Sequence, residues 1–257
     1  MKKKILWGCA LLLAVVLAAG GYCWWVSRTS NPWNAKTVGD IPVPFGYERA
    51  EVAEGSYAEF LRSLPLKKRG TKVHLFTGGL ANYQWLSAGV IDLPMLSNAE
   101  QCADMTMRLR AEYLWQKGRY SQICFTDVNG KRHRYDGGSS RKAFEKYLKR
   151  MYGICSTYSV YHETEERRPA DIKAGDVLVY PARNGKKLGH AILIVDVATN
   201  SDGQKAIICV EGNTPAREAH VVRNLNPLRN PWSFIDKDDS SYPVSAFYFK
   251  KDNLRHY

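Results

Sequence analysis

Two residues define the chemistry this chain can attempt: Cys102, in Gln101-Cys102-Ala103-Asp104, and His190, in Gly189-His190-Ala191-Ile192. A thiol acts as a nucleophile when an imidazole takes its proton, a third group orients that imidazole, and fixed N–H donors receive the oxyanion. Cys102 falls in the early turns of residues 101–117, a helix-like run without Gly or Pro. A helix N-terminus favours a thiolate through its unpaired N–H groups and dipole. Cys102, Met105, Leu109 and Tyr113 share one face, with Asp104, Arg108 and Glu112 on another. Two features oppose the reading. Ser97 and Glu100 form a capping box that would start the helix about five positions before Cys102. Glu100 and Asp104 also flank the thiol with negative charge. A core cysteine on an amphipathic helix is the competing reading.

His190 opens a strand-like run, 190–197, after a turn at 184–189, where a side chain can look out over a sheet end. His74, His133, His162, His220 and His256 lack that setting, and surface or structural roles suffice for them. Asp196 shares the strand face of His190 but lies roughly 20 Å along it at about 3.3 Å per residue, so it reads as a strand-end or turn residue. If 191–197 and 206–210 form a hairpin around 199–203, Val197 pairs with about Lys205 and His190 with about Gly212. That brings Glu211 or Asn213 to the imidazole, according to a one-residue choice of register. A turn before Pro215 is the alternative for both. The Cys102 N–H, with Gln101 or Gln84, would supply the oxyanion site. Arg108 and Arg110 could bind a substrate carboxylate, or simply form helix-surface salt bridges.

The elements that must carry these residues begin at a membrane. Lys2-Lys3-Lys4 precedes 22 uncharged residues, 5–26. As a helix they reach roughly 33 Å, enough to cross a bilayer. Lysines on the cytoplasmic side place the rest of the chain outside, in the cell envelope. Tyr22, Trp24 and Trp25 suit the outer aromatic belt. Cleavage at Ala18-Ala19-Gly20 would instead make this a signal peptide and the domain a secreted one. Residues 27–40 read as a polar tether, and 41–257 as one exported domain. The net charge is +12, which favours anionic partners. No basic and aromatic stripe marks a nucleic-acid platform, so no nucleic acid is expected. No CxxC or HExxH spacing suggests a metal, and no cofactor is expected. A single disulfide among Cys102, Cys124, Cys155 and Cys209 stays open in an oxidising compartment.

Beyond the tether, Ser56 with Glu59 caps a short helix that stops before Pro65. Residues 73–76 and 88–93 look like strands. Asn129-Gly130 marks a hairpin between 121–126 and 132–135, and 140–152 is a basic amphipathic helix ended by Gly153. Strand patterns then follow at 177–180, 191–197, 206–210, 220–223 and 244–249. Helices first and an antiparallel sheet later indicate an α+β fold.

Gln101-Cys102-Ala103 with Arg108, Gly175-Asp176-Val177 and Gly189-His190-Ala191 resemble the nucleophile helix and the two core strands of CHAP amidases, within the NlpC/P60 group of papain-like enzymes. Glu211 and Asn213 fall where CHAP domains carry a Glu and an Asn after the histidine. The resemblance implies cleavage of amide bonds in bacterial wall peptides. Residues 118–170 would then be an insertion between Cys102 and His190. A wider resemblance, through Pro44-Phe45-Gly46-Tyr47-Glu48-Arg49, residues 56–62, 101–104 and 107–114, Pro215-Ala216 and Pro231-Trp232, is to a bacterial envelope family labelled domain of unknown function 4846. Two functions fit: a membrane-anchored thiol amidase or peptidase acting on wall peptides, or a non-catalytic envelope module binding a glycan, an anionic polymer or a protein.

Overall fold

The apolar runs after residue 176 form the centre of the protein. The computed structural model describes residues 2–181, 189–236 and 241–257. The expected turn at 184–189 lies mostly outside them. In chain order the strands are β1 (Tyr47–Arg49), β2 (Ser87–Val90), β3 (Cys124–Thr126), β4 (Arg132–Arg134), β5 (Glu165–Glu166), β6 (Val177–Tyr180) and β7 (His190–Asn200). β8 (Lys205–Glu211), β9 (His220–Val222), β10 (Ser233–Ile235), β11 (Ser241–Val244), β12 (Phe247–Lys250) and β13 (Leu254–His256) follow. The helices are α1 (Lys2–Arg28), α2 (Tyr57–Arg62), α3 (Cys102–Gln116), α4 (Arg141–Tyr152) and α5 (Thr157–Glu163). An antiparallel sheet runs β2-β9-β8-β7-β6-β13-β5, with β1 on the far part of β7 and β10 on β8. The α+β expectation therefore holds.

β6, β7 and β8 read as near-continuous apolar runs because both sheet faces are covered. Val177, Val179, Ala191, Leu193, Val195, Ile208 and Val210 pack in one cluster with α3 residues Met105 and Leu109. Leu178, Ile192, Ile194, Ile207 and Cys209 pack on the other face with Tyr242, Val244 and Phe249 of the β11–β12 hairpin. A bulge between Ile194 and Asp196 shifts the register, so the odd-numbered set that faces α3 ends at Val195 and Val197 joins the other face. The bulge leaves Asp196 fully buried mid-strand, paired with Arg49 at 3.0 Å and Arg62 at 2.8 Å. It is not a strand-end or turn residue, but the ionic tie of β1 and α2 to β7.

Other elements differ from the sequence reading for identifiable reasons. Residues 244–249 are not one strand; Ser245, at φ +56, turns them into the β11–β12 hairpin. Residues 73–76 form only isolated bridges, Leu75 with Arg217 and His74 with Leu80. The segment read as a tether is built into the domain. Asn31, 1 % exposed, binds Ala35 N and O at 2.9 Å each and Lys67 O at 3.0 Å, while Val38 and Ile41 enter the core. Ser56 caps α2, as its spacing to Glu59 predicts, and Ser140 caps α4. Residues 118–170 carry the β3–β4 hairpin, α4 and α5, and contribute Phe125, Phe144, Leu148 and Met151 to the cluster that holds α3. All six cysteines are free thiols.

Candidate active site

Cys102 is the first residue of α3. The capping box at Ser97 does not close, because the buried Glu100 carboxylate turns away to accept from Leu96 N (2.7 Å) and from Arg108 Nη1 (2.6 Å). Residues 97–100 become a turn, and the helix starts later than their pattern predicts. Gln101 precedes it in extended conformation and donates its N–H to Asp104 Oδ2 at 2.9 Å. Cys102 thus sits where backbone N–H groups have no intrahelical partner and the dipole is at full strength. The flanking acids are muted. Glu100 is ion-paired with Arg108, and burial pushes Asp104 up to about 7 against the Gln101 N–H bond.

His190 begins β7 beside the last residue of β8. Its Nε2 lies 2.7 Å from Glu211 Oε2, so Nδ1 is the ring nitrogen not held by the carboxylate. Burial would lower the imidazole pKa, but the neighbouring Cys102 and the Glu211 carboxylate bonded to Nε2 override it and raise the ring to about 9. Phe247 stacks on the imidazole, centroids 3.9 Å apart and planes 18° apart. Glu211 is 2 % exposed. Burial opposes its charge, yet bonds from His190 and His220 hold it down at about 2. Burial pushes the Cys155 thiol up to about 12 and raises Cys209 as well. α3 can begin close over the end of β8 because Gly212 has no side chain; a Cβ there would stand 3.1 Å from Gln101 O.

Of the two groups left open beside the imidazole, Glu211 takes the bond. Asn213 instead accepts from Thr214 N at 2.7 Å and lines the adjoining cavity. Gln101 Oε1 accepts from the Thr214 hydroxyl at 2.8 Å, so only its NH2 end can donate to a ligand. Gln84 also lines the cavity, but its NH2 donates to Val73 O and Ala81 O, both at 2.7 Å. Arg108 is buried rather than a substrate-binding surface group: it bonds Pro94 O and Glu100, with Glu112 3.5 Å away.

Three neighbours escaped the sequence reading. His220, read as structural, pairs across β8–β9 with Glu211 and places Nε2 3.3 Å from Oε1. Tyr180 pairs with His190 across β6–β7, and burial with the nearby Cys102 and Glu211 charges raises its phenol above its ordinary value. Phe247 arrives from the distant hairpin. Only the Glu211–His220 pairing had a sequence signal, through the β8–β9 alternation. Beside them lies a cavity of about 300 Å³ lined by Tyr83, Trp85, Glu211, Thr214, Arg217 and His220, among others.

An antiparallel α+β domain with a helix-first cysteine, a strand-first histidine and a buried glutamate at one sheet end defines a protein with a Cys-His-Glu cluster. The chain belongs to the family described as Domain of unknown function (4846), whose model matches residues 38–137 and 136–256. The first match holds Cys102; the second holds His190 and Glu211. No curated protein and no solved structure matches the chain. α1 contains a 23-residue span, Lys3–Trp25, long and apolar enough to cross a membrane, a test that signal sequences also pass.

Proposed function

We propose that this protein is a membrane-anchored thiol amidase or peptidase with a papain-like arrangement, acting on wall peptides outside the cytoplasm. The reading rests on Cys102 at the first position of α3, near an imidazole whose Nε2 is held by Glu211. His190 Nδ1 takes the thiol proton, and the sulfur attacks the amide carbonyl. The Cys102 N–H, with the Gln101 NH2 or the Tyr180 hydroxyl, receives the oxyanion. The imidazolium then protonates the leaving amine, giving a thioester. Water, deprotonated by His190, attacks that thioester and releases the acid and the free thiol. Glu211 and His220 are positioning residues: they fix the ring and favour its charged form without touching substrate. The wall-peptide assignment comes from the CHAP-like motifs and from α1, whose length and apolar composition are consistent with an envelope location.

The test is turnover of wall peptides by the full chain in detergent. Cys102→Ala and His190→Ala are expected each to abolish amide cleavage while leaving the melting temperature within a few degrees. Full cleavage by either variant would sink the proposal.

A further inference from the structure

Arg217 lines the cavity beside the Cys-His-Glu cluster and is 8 % exposed. Its guanidinium meets only carbonyl oxygens: Asn82 O at 3.2 Å, Pro215 O at 3.4 Å and Thr214 O at 3.5 Å. Among the described residues no carboxylate comes within ion-pair distance of it. By contrast, the buried Arg108 has Glu100, and the half-buried Arg49 and Arg62 share Asp196. Among the described residues, the carboxylate whose charge acts on Arg217 is Glu211, and it already binds His190 and His220. Removing a cation from water without an opposite charge is costly. Long hydrogen bonds to carbonyls compensate only in part. A planar donor fork at a cavity wall matches a carboxylate, which it can bind through two parallel bonds. Tyr83 and Trp85, 65 % and 49 % exposed, line the same cavity and offer apolar walls to the rest of a ligand.

From this we infer that the Arg217 cavity is a carboxylate-binding subsite, and that the substrate is a peptide carrying a free carboxylate near the bond that Cys102 attacks. The substrate half of the inference rests on the thiol-hydrolase reading; the binding half does not. Calorimetry on the full-length Cys102→Ala protein in detergent separates the two. The probes are acetyl-alanyl-alanine, its C-terminal amide, and acetyl-aspartyl-alaninamide, which carries its carboxylate on a side chain. At least one acid should bind about tenfold more tightly than the neutral amide, and the better acid identifies a terminal or a side-chain carboxylate as the natural group. Arg217→Gln should erase the preference, and Arg217→Lys should keep part of it. Equal binding of acid and amide, binding of none at millimolar concentration, or a preference that survives in Arg217→Gln would overturn the inference. If the Arg217 variants fail to fold, the wild-type comparison decides alone: the acid, not the amide, should protect Cys102 from iodoacetamide, and equal protection or none overturns the inference. Loss of His190-dependent thiol reactivity with acid binding intact would remove the enzyme and leave the subsite.

Discussion

At the scale of residues, the central feature is a glutamate shared by two histidines. Glu211 is held down at about 2, below its ordinary 4.5, so its stabilising contribution is complete above pH 4.5 and is lost as pH falls toward 2. His190 is raised to about 9 from 6.5, so its contribution is complete below pH 6.5 and is lost as pH rises through about 9. Both are present between about pH 4.5 and 6.5. There Glu211→Gln should lose most stability, on the order of 1–3 kcal/mol, and the gap should narrow by pH 9.5. Melting curves against pH check this; a gap constant from pH 5 to 9.5 would contradict the pairing. Cys102, His190 and the Glu211-or-Asn213 choice were legible because residue type, strand position and hairpin arithmetic are local. Tyr180 and Phe247 were not, because a neighbouring strand and a distant hairpin bring them in, and His220 was passed over although the β8–β9 strand pattern carried its pairing with Glu211. Arg217 lacked any motif to mark it.

At the scale of elements, the site depends on where α3 starts relative to the end of β8. The capping box at Ser97 misplaced that start, since a buried arginine competes for Glu100 and no local pattern reveals it. The hairpin reading put His190 opposite Gly212, whereas β7–β8 pairs Thr199 with Lys205 and slips by one at the Asp196 bulge. The shift in the turn and the bulge partly cancel, so Glu211 still reaches the ring. The closeness of α3 and β8 is testable at Gly212. Its Cβ in Gly212→Ala would press Gln101 O at 3.1 Å and Met105 Cβ at 3.4 Å. The helix start should move by a few tenths of an ångström, costing roughly 1–3 kcal/mol. Because reacting groups tolerate little displacement, Cys102 alkylation should slow by about tenfold or more. An unchanged alkylation rate would show that the packing does not set the thiol's position.

At the scale of the whole molecule, the apolar helix α1 joins a domain that begins directly after it. Arg69 lies over the Trp25 ring at 4.0 Å, Gly70 N bonds Ser30 O at 2.9 Å, and the Asn31 side chain is locked to Ala35 and Lys67. The polar composition of 27–40 suggested a tether because short hydrogen-bonding side chains look alike in a linker and in a buried turn. Removing residues 1–28 should therefore leave the melting temperature nearly unchanged, while removing 1–40 should lower it sharply, as Asn31 and Val38 leave the core. Equal stability of the two truncations would restore the tether. The proposal that unites the molecule is that this domain presents an activated thiol. The measurement that addresses it most directly is the rate of Cys102 alkylation by iodoacetamide against pH, in the full chain and in His190→Ala. A thiolate–imidazolium pair predicts rapid alkylation persisting below pH 7 and collapsing without His190. A rate that rises only near the free-thiol value of about 8.5, and is the same in His190→Ala, would make Cys102 a structural cysteine and contradict the account.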